Sequence, residues 1–228
     1  AAPVVDGWDL AAFWKPVHNV AGDFYDFFPL DDGRLALLIA DVSGKGIPAS
    51  LFMALAVTVL RFGMGLSLKP GEMIERANDG IRKYQRSRFF ATIFVGYLDL
   101  ENGEMEFASA GHNPPMLYRA AAKTVEYIEA SGVAVGVFAG VKYEEKIIQL
   151  EPDDVLVLYT DGITEIINAV EEEFGEAHLE TLIVENAGAD AQTLVDIIVH
   201  AIHDFAGVAD SFDDETLIVI KHTPHTPR

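Results

Sequence analysis

The grouping of strand-like and helix-like segments is the feature that most limits how this chain can fold. Strand-like segments come first, followed by two helical patterns, a long run of short strand-like segments, two more helical patterns and a last strand. The strand-like segments are 8–16, 23–30, 34–40, 91–100, 104–110, 116–119, 124–129, 142–150, 155–159 and 216–221, and the helical patterns are 48–60, 70–86, 173–186 and 191–205. Because the two kinds of segment are grouped rather than alternating, the order favours an α+β fold over repeated βαβ units.

The short segments between residues 91 and 129 are separated by turn-forming residues. Asn102-Gly103 and the segments 111–115 and 120–123 supply these turns. Such turns between β-branched and aromatic runs are typical of neighbouring antiparallel strands, so we predict an antiparallel meander here. In the same way, Asp31-Asp32-Gly33 predicts a hairpin between the second and third strand-like segments.

The first helical pattern is apolar nearly all round, which predicts a helix buried on more than one side. The longest apolar stretch, Ile47–Leu60, is shorter than the roughly 20 residues that a membrane span requires. We interpret its apolar stripe as helix core, and a regulatory or homodimer contact is the alternative. The stripe consists of Phe52, Leu55, Ala56 and Val59.

Length and charge limit the class of protein. The chain has 228 residues, half of them hydrophobic, which is enough for one large domain with a sizeable core. We assign residues 1–222 to this domain and 223–228 to a polar C-terminal tail. The chain carries 36 Asp and Glu residues against 16 Lys and Arg residues, a formal net charge of -20. Such a field repels nucleic acid and anionic membranes, so neither is an expected partner.

The cysteine count and the first residues further limit the class of protein. The chain has no cysteine, which excludes disulfides, thiolate zinc sites and cysteine nucleophiles. The first residues lack the basic start and apolar core of a signal peptide, so we expect a soluble cytoplasmic domain. The chain opens in a strand-like segment without an initiating methionine, and we therefore expect it to be part of a longer protein.

Four aspartates stand where strand-like segments begin or end. They are Asp23, Asp41, Asp161 and Asp213. Strand ends beside glycines allow a rigid sheet to present carboxylates to a shared point. Mg²⁺ and Mn²⁺ take oxygen ligands, and two such ions a few ångströms apart lower the pKa of a shared water enough to form hydroxide near neutral pH. Taken singly, each aspartate is more simply explained as a turn former or a helix cap than as a metal ligand.

Five strings, in order, resemble the signatures of the SpoIIE-like (RsbU-like) branch of the PPM, or type 2C, serine/threonine phosphatases. They are AGDFYDF, LALLIADVSGKGIPASLFM, FASAGHNPPMLY, LVLYTDGITE and DDETLIVIK. One such string would be weak, but five in the family's order are specific. The resemblance covers nearly the whole chain. It implies two packed antiparallel β-sheets flanked by helices on both faces, an αββα sandwich.

The resemblance also implies a role for each aspartate. Asp41 would bridge two Mn²⁺ or Mg²⁺ ions, and the Val42 carbonyl would complete one coordination sphere. Asp161 and Asp213 would bind the other metal. Asp23 would lie on the second metal or in its hydration shell, and a third ion is left open. Asp41, Asp161 and Asp213 are therefore the candidate catalytic residues.

Several positions depart from the family pattern or leave an alternative. Asp214, next to Asp213, is the alternative ligand. Ala21 replaces the first glycine of the usual GGD string, and Ser43 stands where many eukaryotic relatives have a histidine thought to act as general acid. Protonation of the departing alkoxide would then depend on water at the metal.

Phosphate recognition is the least defined part of the predicted site. The arginine that relatives use to hold phosphate has no clear match near His18 and Asn19. Lys45 and His112 are weak candidates for substrate binding. A solvated lysine and a structural histidine in a proline turn are the alternative interpretations of these two residues.

Three hypotheses follow. The first is hydrolysis of phosphoserine or phosphothreonine on a regulatory protein, such as an anti-sigma-factor antagonist, by a metal-bridging hydroxide in bacterial signalling. In this branch, a sensor or receiver domain often lies upstream. The second is a catalytically idle module that binds a signalling partner through the same surface. A calcium-binding domain is the third, and it lacks the regular Asp-x-Asp loop spacing.

Overall fold

The computed structural model describes residues 2–17, 21–44, 46–64, 66, 68–84, 89–207 and 213–223. Over these residues the chain forms ten strands and five helices. The strands are β1 (Trp8–Lys15), β2 (Phe24–Pro29), β3 (Leu35–Val42), β4 (Ala91–Leu98), β5 (Glu104–Ala110), β6 (Met116–Arg119), β7 (Thr124–Tyr127), β8 (Glu145–Gln149), β9 (Val155–Tyr159) and β10 (Glu215–His222). The helices are α1 (Ile47–Met64), α2 (Pro70–Tyr84), α3 (Asp161–Thr164), α4 (Gly175–Asn186) and α5 (Ala191–Ala206).

The chain divides into two units, each with its own antiparallel sheet. The first unit comprises Ala1–Val17, Pro114–Ile128 and Leu150–Arg228, and the second comprises His18–Asn113 and Glu129–Gln149. The assignment of residues 1–222 to one domain stays a prediction. Of the predicted tail, Thr223 is described, and residues 224–228 lie outside the described part of the chain.

The first unit is built on the sheet β1-β10-β9-β6-β7. Strand β9 is buried along its whole length, and α5 contributes Leu194, Ile198 and Ile202 to the same core at intervals of four residues. This spacing places them on one helix face. Asp190 is the N-cap residue of α5. Its side chain accepts a hydrogen bond from the N–H of Thr193 at 2.8 Å, which satisfies one of the N–H groups that lack a backbone partner in the first helical turn.

The second unit is built on the sheet β2-β3-β4-β5-β8. Strand β3 is buried at every position except Asp41, which is half-buried. Helix α2 is amphipathic, and it buries Met73, Ile74 and Ile81 in a core shared with β3 and α1. Burial of each such side chain is worth about 1.5–3 kcal/mol, so this core fixes the strand that ends at Asp41.

The predicted meander is confirmed for the antiparallel pairs β4–β5 and β6–β7 but is wrong at the step from β5 to β6. Strand β5 pairs with β4 and β8, whereas β6 pairs with β7 and β9 in the sheet of the other unit. The connecting segment contains Gly111 at φ 70 and then Pro114 and Pro115, which have no N–H to donate to a ladder. The chain therefore leaves one sheet at this segment, and the alternating pattern of the strands does not reveal which partners they take.

Helix α1 also differs from its prediction of burial on more than one side. Phe52, Ala56 and Leu60 are buried, but Leu51 and Phe62 are 67% and 72% exposed. The buried side chains recur at helical spacing and face α2 and β3, so one face alone is covered. By length and composition α1 could cross a membrane, but core helices of soluble proteins also pass this test.

Most predicted elements are confirmed, with ends that shift by a few residues. The hairpin at residues 31–33 is confirmed by the pairing of β2 with β3 and by the N–H of Gly33, which donates to the carbonyl of Leu30 at 3.1 Å. The four-residue helix α3 was not predicted, because a single turn has no repeating apolar pattern.

Candidate active site

Asp41 and Val42 end strand β3 in the second unit. Asp41 lies directly opposite Thr92 of β4, and residues that face each other across an antiparallel pair project to the same side of the sheet. A side chain at Gly22 would stand 3.0 Å from the Val42 carbonyl oxygen. Glycine at this position therefore lets the backbone before β2 pass close to the predicted carbonyl ligand.

The segment Ala21–Asp23 leads into β2 of the same unit. Asp23 is buried, at 2% exposure, and so is Ala21. The Ser50 hydroxyl, in the first turn of α1, hydrogen-bonds to the Ala21 carbonyl at 2.9 Å. The methyl group of Ala21 thus fits where relatives carry glycine, and α1 fixes the chain immediately before Asp23.

Ser43, the residue after Val42, takes part in the turn that follows β3. Its N–H donates to the Phe90 carbonyl at 2.9 Å, and its hydroxyl accepts from the Phe90 N–H at 3.0 Å. Gly44 follows at φ 86, a conformation that favours glycine. The Ser43 hydroxyl therefore serves to hold the turn beside Asp41.

His112 lies next to the strand partner of Asp41. Its Nδ1 is hydrogen-bonded to the Thr92 hydroxyl at 3.0 Å, and its N–H donates to the Ser109 hydroxyl at 3.2 Å. The side chain is buried, at 6% exposure. Thr92 of β4 thus holds the imidazole and Ser109 of β5 holds the His112 backbone, which suits a positioning role better than a surface role.

Asp161 begins the one-turn helix α3 of the first unit, directly after β9 and Thr160. The N–H of Thr160 donates to the Thr216 carbonyl at 3.1 Å, and the Thr160 hydroxyl accepts from the Thr216 N–H at 3.2 Å. Both threonines are fully buried. The turn that carries Asp161 is therefore joined to the first residues of β10.

Asp213 and Asp214 precede β10. The Asp214 carboxylate accepts a hydrogen bond from the N–H of Val17 at 2.8 Å and is buried. The Asp213 carboxylate accepts from the Asp214 N–H at 2.9 Å, and its residue is half-buried. This difference favours Asp213 over Asp214 as the carboxylate presented to a ligand.

Glu165 belongs to the same acidic region of the first unit. Partial burial raises the pKa of its carboxyl above the usual value, and the negative charges of Asp161, Glu173 and Asp213 raise it further. Asp161 and Asp213 thus act on a common neighbour. Sequence reasoning did not select Glu165, although it stands inside the string LVLYTDGITE.

The donors predicted from the sequence suit a hard cation, because they are carboxylate and carbonyl oxygens. The mutual repulsion of the carboxylates around Glu165 fits a bound cation. In neither unit do the described residues contain three or more His, Cys, Asp or Glu side chains grouped to hold a metal ion. The metal-ligand roles of Asp23, Asp41, Val42, Asp161 and Asp213 therefore stay predictions. Lys45, His18 and Asn19 lie outside the described residues.

Four of the five strings, from Leu35 onward, lie within the match to one known family. The profile of the family described as Stage II sporulation protein E (SpoIIE) matches residues 31–223. The chain belongs to the SpoIIE family. This match confirms the resemblance read from the five strings.

Curated relatives of this SpoIIE-family chain include two bacterial proteins. It is 30% identical to Protein IcfG of Synechocystis sp., over 96% of this chain and 38% of that protein. It is also 30% identical to the phosphoserine phosphatase RsbU of Bacillus subtilis, over 96% of this chain and 64% of RsbU. The chain thus spans less than two thirds of either relative.

Solved structures confirm the fold of the SpoIIE-family chain. The RsbU and RsbW domains of a Mycobacterium tuberculosis protein match with a TM-score of 0.83 and 28% identity, over 99% of this chain and 62% of that one. The PP2C phosphatase domain of SpoIIE from Bacillus subtilis, solved with a fragment of its regulatory domain, matches with a TM-score of 0.81 and 21% identity, over 96% of this chain and 63% of that one. The predicted fold class, two antiparallel sheets with helices, is that of the PP2C phosphatases.

Proposed function

We propose that this chain is a Mn²⁺- or Mg²⁺-dependent protein phosphatase that hydrolyses phosphoserine or phosphothreonine. The observation that carries the proposal is the set of five family strings, whose aspartates stand at strand ends in a chain of the SpoIIE family. Similarity to the phosphoserine phosphatase RsbU supports the same activity.

We assign the metal ligands as the sequence predicted them. Asp41, the Val42 carbonyl and Asp23 belong to the second unit, and Asp161 and Asp213 belong to the first. When bound, two divalent cations activate water for attack on phosphorus and neutralise the charge of the phosphate. They would also offset the acidic field of a chain with a net charge of -20, which otherwise repels a phosphorylated substrate.

The chain's own residues hold these ligands in place. Ser43 fixes the turn after Asp41, and Ser50 fixes the chain before Asp23. Thr160 ties the Asp161 turn to β10. Each tether joins the chain beside a predicted ligand to a neighbouring segment of the same unit, and this limits the reorganisation needed when the cations bind.

The substrate we propose is a phosphorylated regulatory protein, such as an anti-sigma-factor antagonist, in the cytoplasm. Similarity to the phosphoserine phosphatase RsbU supports a phosphoserine substrate. The match to a SpoIIE phosphatase domain solved with a fragment of its regulatory domain supports a sensor or receiver domain upstream in the full-length protein. A homodimer is part of the same proposal, since exposed apolar residues of α1 such as Leu51 and Phe62 could form such a contact.

Manganese-dependent hydrolysis of p-nitrophenyl phosphate and of a phosphoserine peptide tests the proposal. We expect Asp41→Asn to lower kcat/KM by more than about 100-fold, the upper end of what substitutions of outer-shell residues cost. The matched control is Asp26→Asn. Asp26 lies on β2 of the same unit and pairs with Arg61 at 2.6 Å on the surface, so its loss should leave turnover unchanged.

The outcomes separate the two classes of function. Turnover that requires Mn²⁺ and disappears in Asp41→Asn supports the phosphatase. Wild-type protein that binds Mn²⁺ but hydrolyses neither substrate would support the idle signalling module instead.

A further inference from the structure

Lys15, His203 and Glu215 form a cluster of charged and polar groups in the first unit. The Glu215 carboxylate accepts from the Lys15 ammonium at 3.0 Å and contacts His203 Nε2 at 2.8 Å. Lys15 Nζ and His203 Nε2 are 3.2 Å apart. One carboxylate therefore joins the end of β1 and the last turn of α5 to the first residue of β10.

Glu215 is the buried member of the cluster. Its side chain has 0% exposure, whereas those of Lys15 and His203 are 44% and 39% exposed. A carboxylate is costly to bury unless it is paired and hydrogen-bonded. Well-packed apolar residues are often at least as stabilising as a buried ion pair, so stability alone is a weak explanation for this arrangement.

The location of the cluster indicates what it does. Glu215 follows Asp213 by two residues, and the intervening Asp214 is tied to the N–H of Val17 at 2.8 Å. The Asp214 N–H in turn donates to the Asp213 carboxylate at 2.9 Å. The short segment that presents Asp213 is thus held on its C-terminal side by contacts from β1 and α5.

We propose that Lys15, His203 and Glu215 are positioning residues that orient the Asp213 carboxylate for cation binding. The inference rests on the proposed function, because it gives Asp213 a metal to bind. The three residues act through the backbone of Asp213 and Asp214. Partners of this kind fix the direction of a ligand and typically change metal affinity by about 10–100-fold when they are substituted.

The chain offers a matched control in the same unit. Asp154 is also a buried carboxylate, with a side-chain exposure of 2%, and pairs with Arg119 at 3.0 Å. It precedes β9, whereas Asp161 follows that strand, and its carbonyl accepts from the N–H of His222 at the end of β10. The two ion pairs therefore resemble each other in chemistry but lie at opposite ends of β9 and β10.

Calorimetric titration of the 228-residue chain with Mn²⁺ tests the inference directly. The proteins are wild type, Glu215→Gln, His203→Gln and Asp154→Asn, with Tm measured in EDTA for each. We expect Glu215→Gln to raise the Kd for Mn²⁺ by about 10-fold or more, and His203→Gln to raise it by a smaller factor. Asp154→Asn should lower Tm but leave the Kd unchanged. In turnover assays, saturating Mn²⁺ should restore most of the kcat of Glu215→Gln.

Each result has a distinct meaning. If both Glu215→Gln and His203→Gln bind Mn²⁺ with wild-type affinity, this inference is overturned but the proposed function is not. The cluster would then be a structural ion pair. Equal loss of affinity in Asp154→Asn would overturn the inference as well, since the effect would follow stability rather than position. If Glu215→Gln does not fold, the Mn²⁺ affinity of His203→Gln tests the inference instead, because His203 is partly exposed. Wild-type protein that binds no Mn²⁺ would overturn the proposed function and this inference with it.

Discussion

Gly162 lies so close to the backbone of Asp214 that a Cβ added at Gly162 would stand 2.0 Å from the Asp214 carbonyl oxygen. No side chain other than hydrogen fits this distance. Gly162 follows Asp161, and Asp214 follows Asp213, so the contact brings together the two segments that carry the predicted ligands of the first unit. The glycine of the TDG string is thus required by backbone packing.

Gly162→Ala should therefore separate these segments. We expect a loss of about 2 kcal/mol or more in the free energy of unfolding, because overpacking forces the backbone to shift. Urea denaturation measures this change in the free energy of unfolding. The control is Gly188→Ala in the same unit, where a Cβ would meet nothing within 4 Å. There alanine should be neutral or stabilise by up to about 1 kcal/mol, and equal losses at both positions would contradict the packing argument.

Asp161→Asn should nearly abolish phosphatase activity while the fold is retained. Removing one negative charge from the region that raises the pKa of Glu165 relieves repulsion. The Tm of the variant in EDTA should therefore equal or exceed that of wild type. Saturating Mn²⁺ should raise the Tm of wild type more than that of the variant, because a ligand that binds the folded state stabilises it. Undiminished turnover in the variant would refute the role given to Asp161.

Buried tyrosines should make the second unit sensitive to alkali. Burial raises the pKa of Tyr97 to about 12 and that of Tyr143 to about 12, against about 10 in an unfolded chain. Between these values the unfolded state loses the proton first, so stability falls as pH rises, by up to about 1.4 kcal/mol per pH unit for each tyrosine. Urea denaturation from pH 9 to pH 12 measures the slope, which should be shallower in Tyr97→Phe.

Tyr97 and Tyr159 provide a comparison at neutral pH. Among the described residues the buried Tyr97 hydroxyl has no hydrogen-bond partner, so Tyr97→Phe should be neutral or stabilise by about 1 kcal/mol. The Tyr159 hydroxyl donates to Glu176 at 3.1 Å, and Tyr159→Phe should cost about 1 kcal/mol. If both substitutions lower the free energy of unfolding, or both raise it, the hydrogen-bond assignment would be contradicted.

Two neighbouring residues of α1 test its single buried face. Phe52 is 4% exposed and belongs to the core of the second unit, so Phe52→Ala should cost about 3–5 kcal/mol. Leu51 is 67% exposed, and at dilutions where the chain is monomeric Leu51→Ala should change stability by less than about 0.5 kcal/mol. A loss for Leu51→Ala in urea denaturation that appears only at higher protein concentration would show that the proposed homodimer covers this face, and comparable losses for both variants at dilution would contradict the single buried face.

The sequence predicted the elements more completely than their partners. Strand β3 follows from the apolar run that ends at Asp41, and α2 follows from Ile74, Ala77 and Ile81 at helical spacing. Alternation or periodicity states which face of an element is buried, but it does not state which element covers that face. For this reason the pairing of β5 with β8 was missed.

By itself the sequence determined the family, the fold class and the identity of the predicted ligands, because these depend on short strings read in order. The tertiary structure alone decided that Gly162 meets the Asp214 carbonyl and that Glu215 is buried between Lys15 and His203. These contacts join residues far apart along the chain. A carboxylate at a strand end looks the same in sequence whether it faces water, a cation or a lysine, and its burial is fixed when the strands pair.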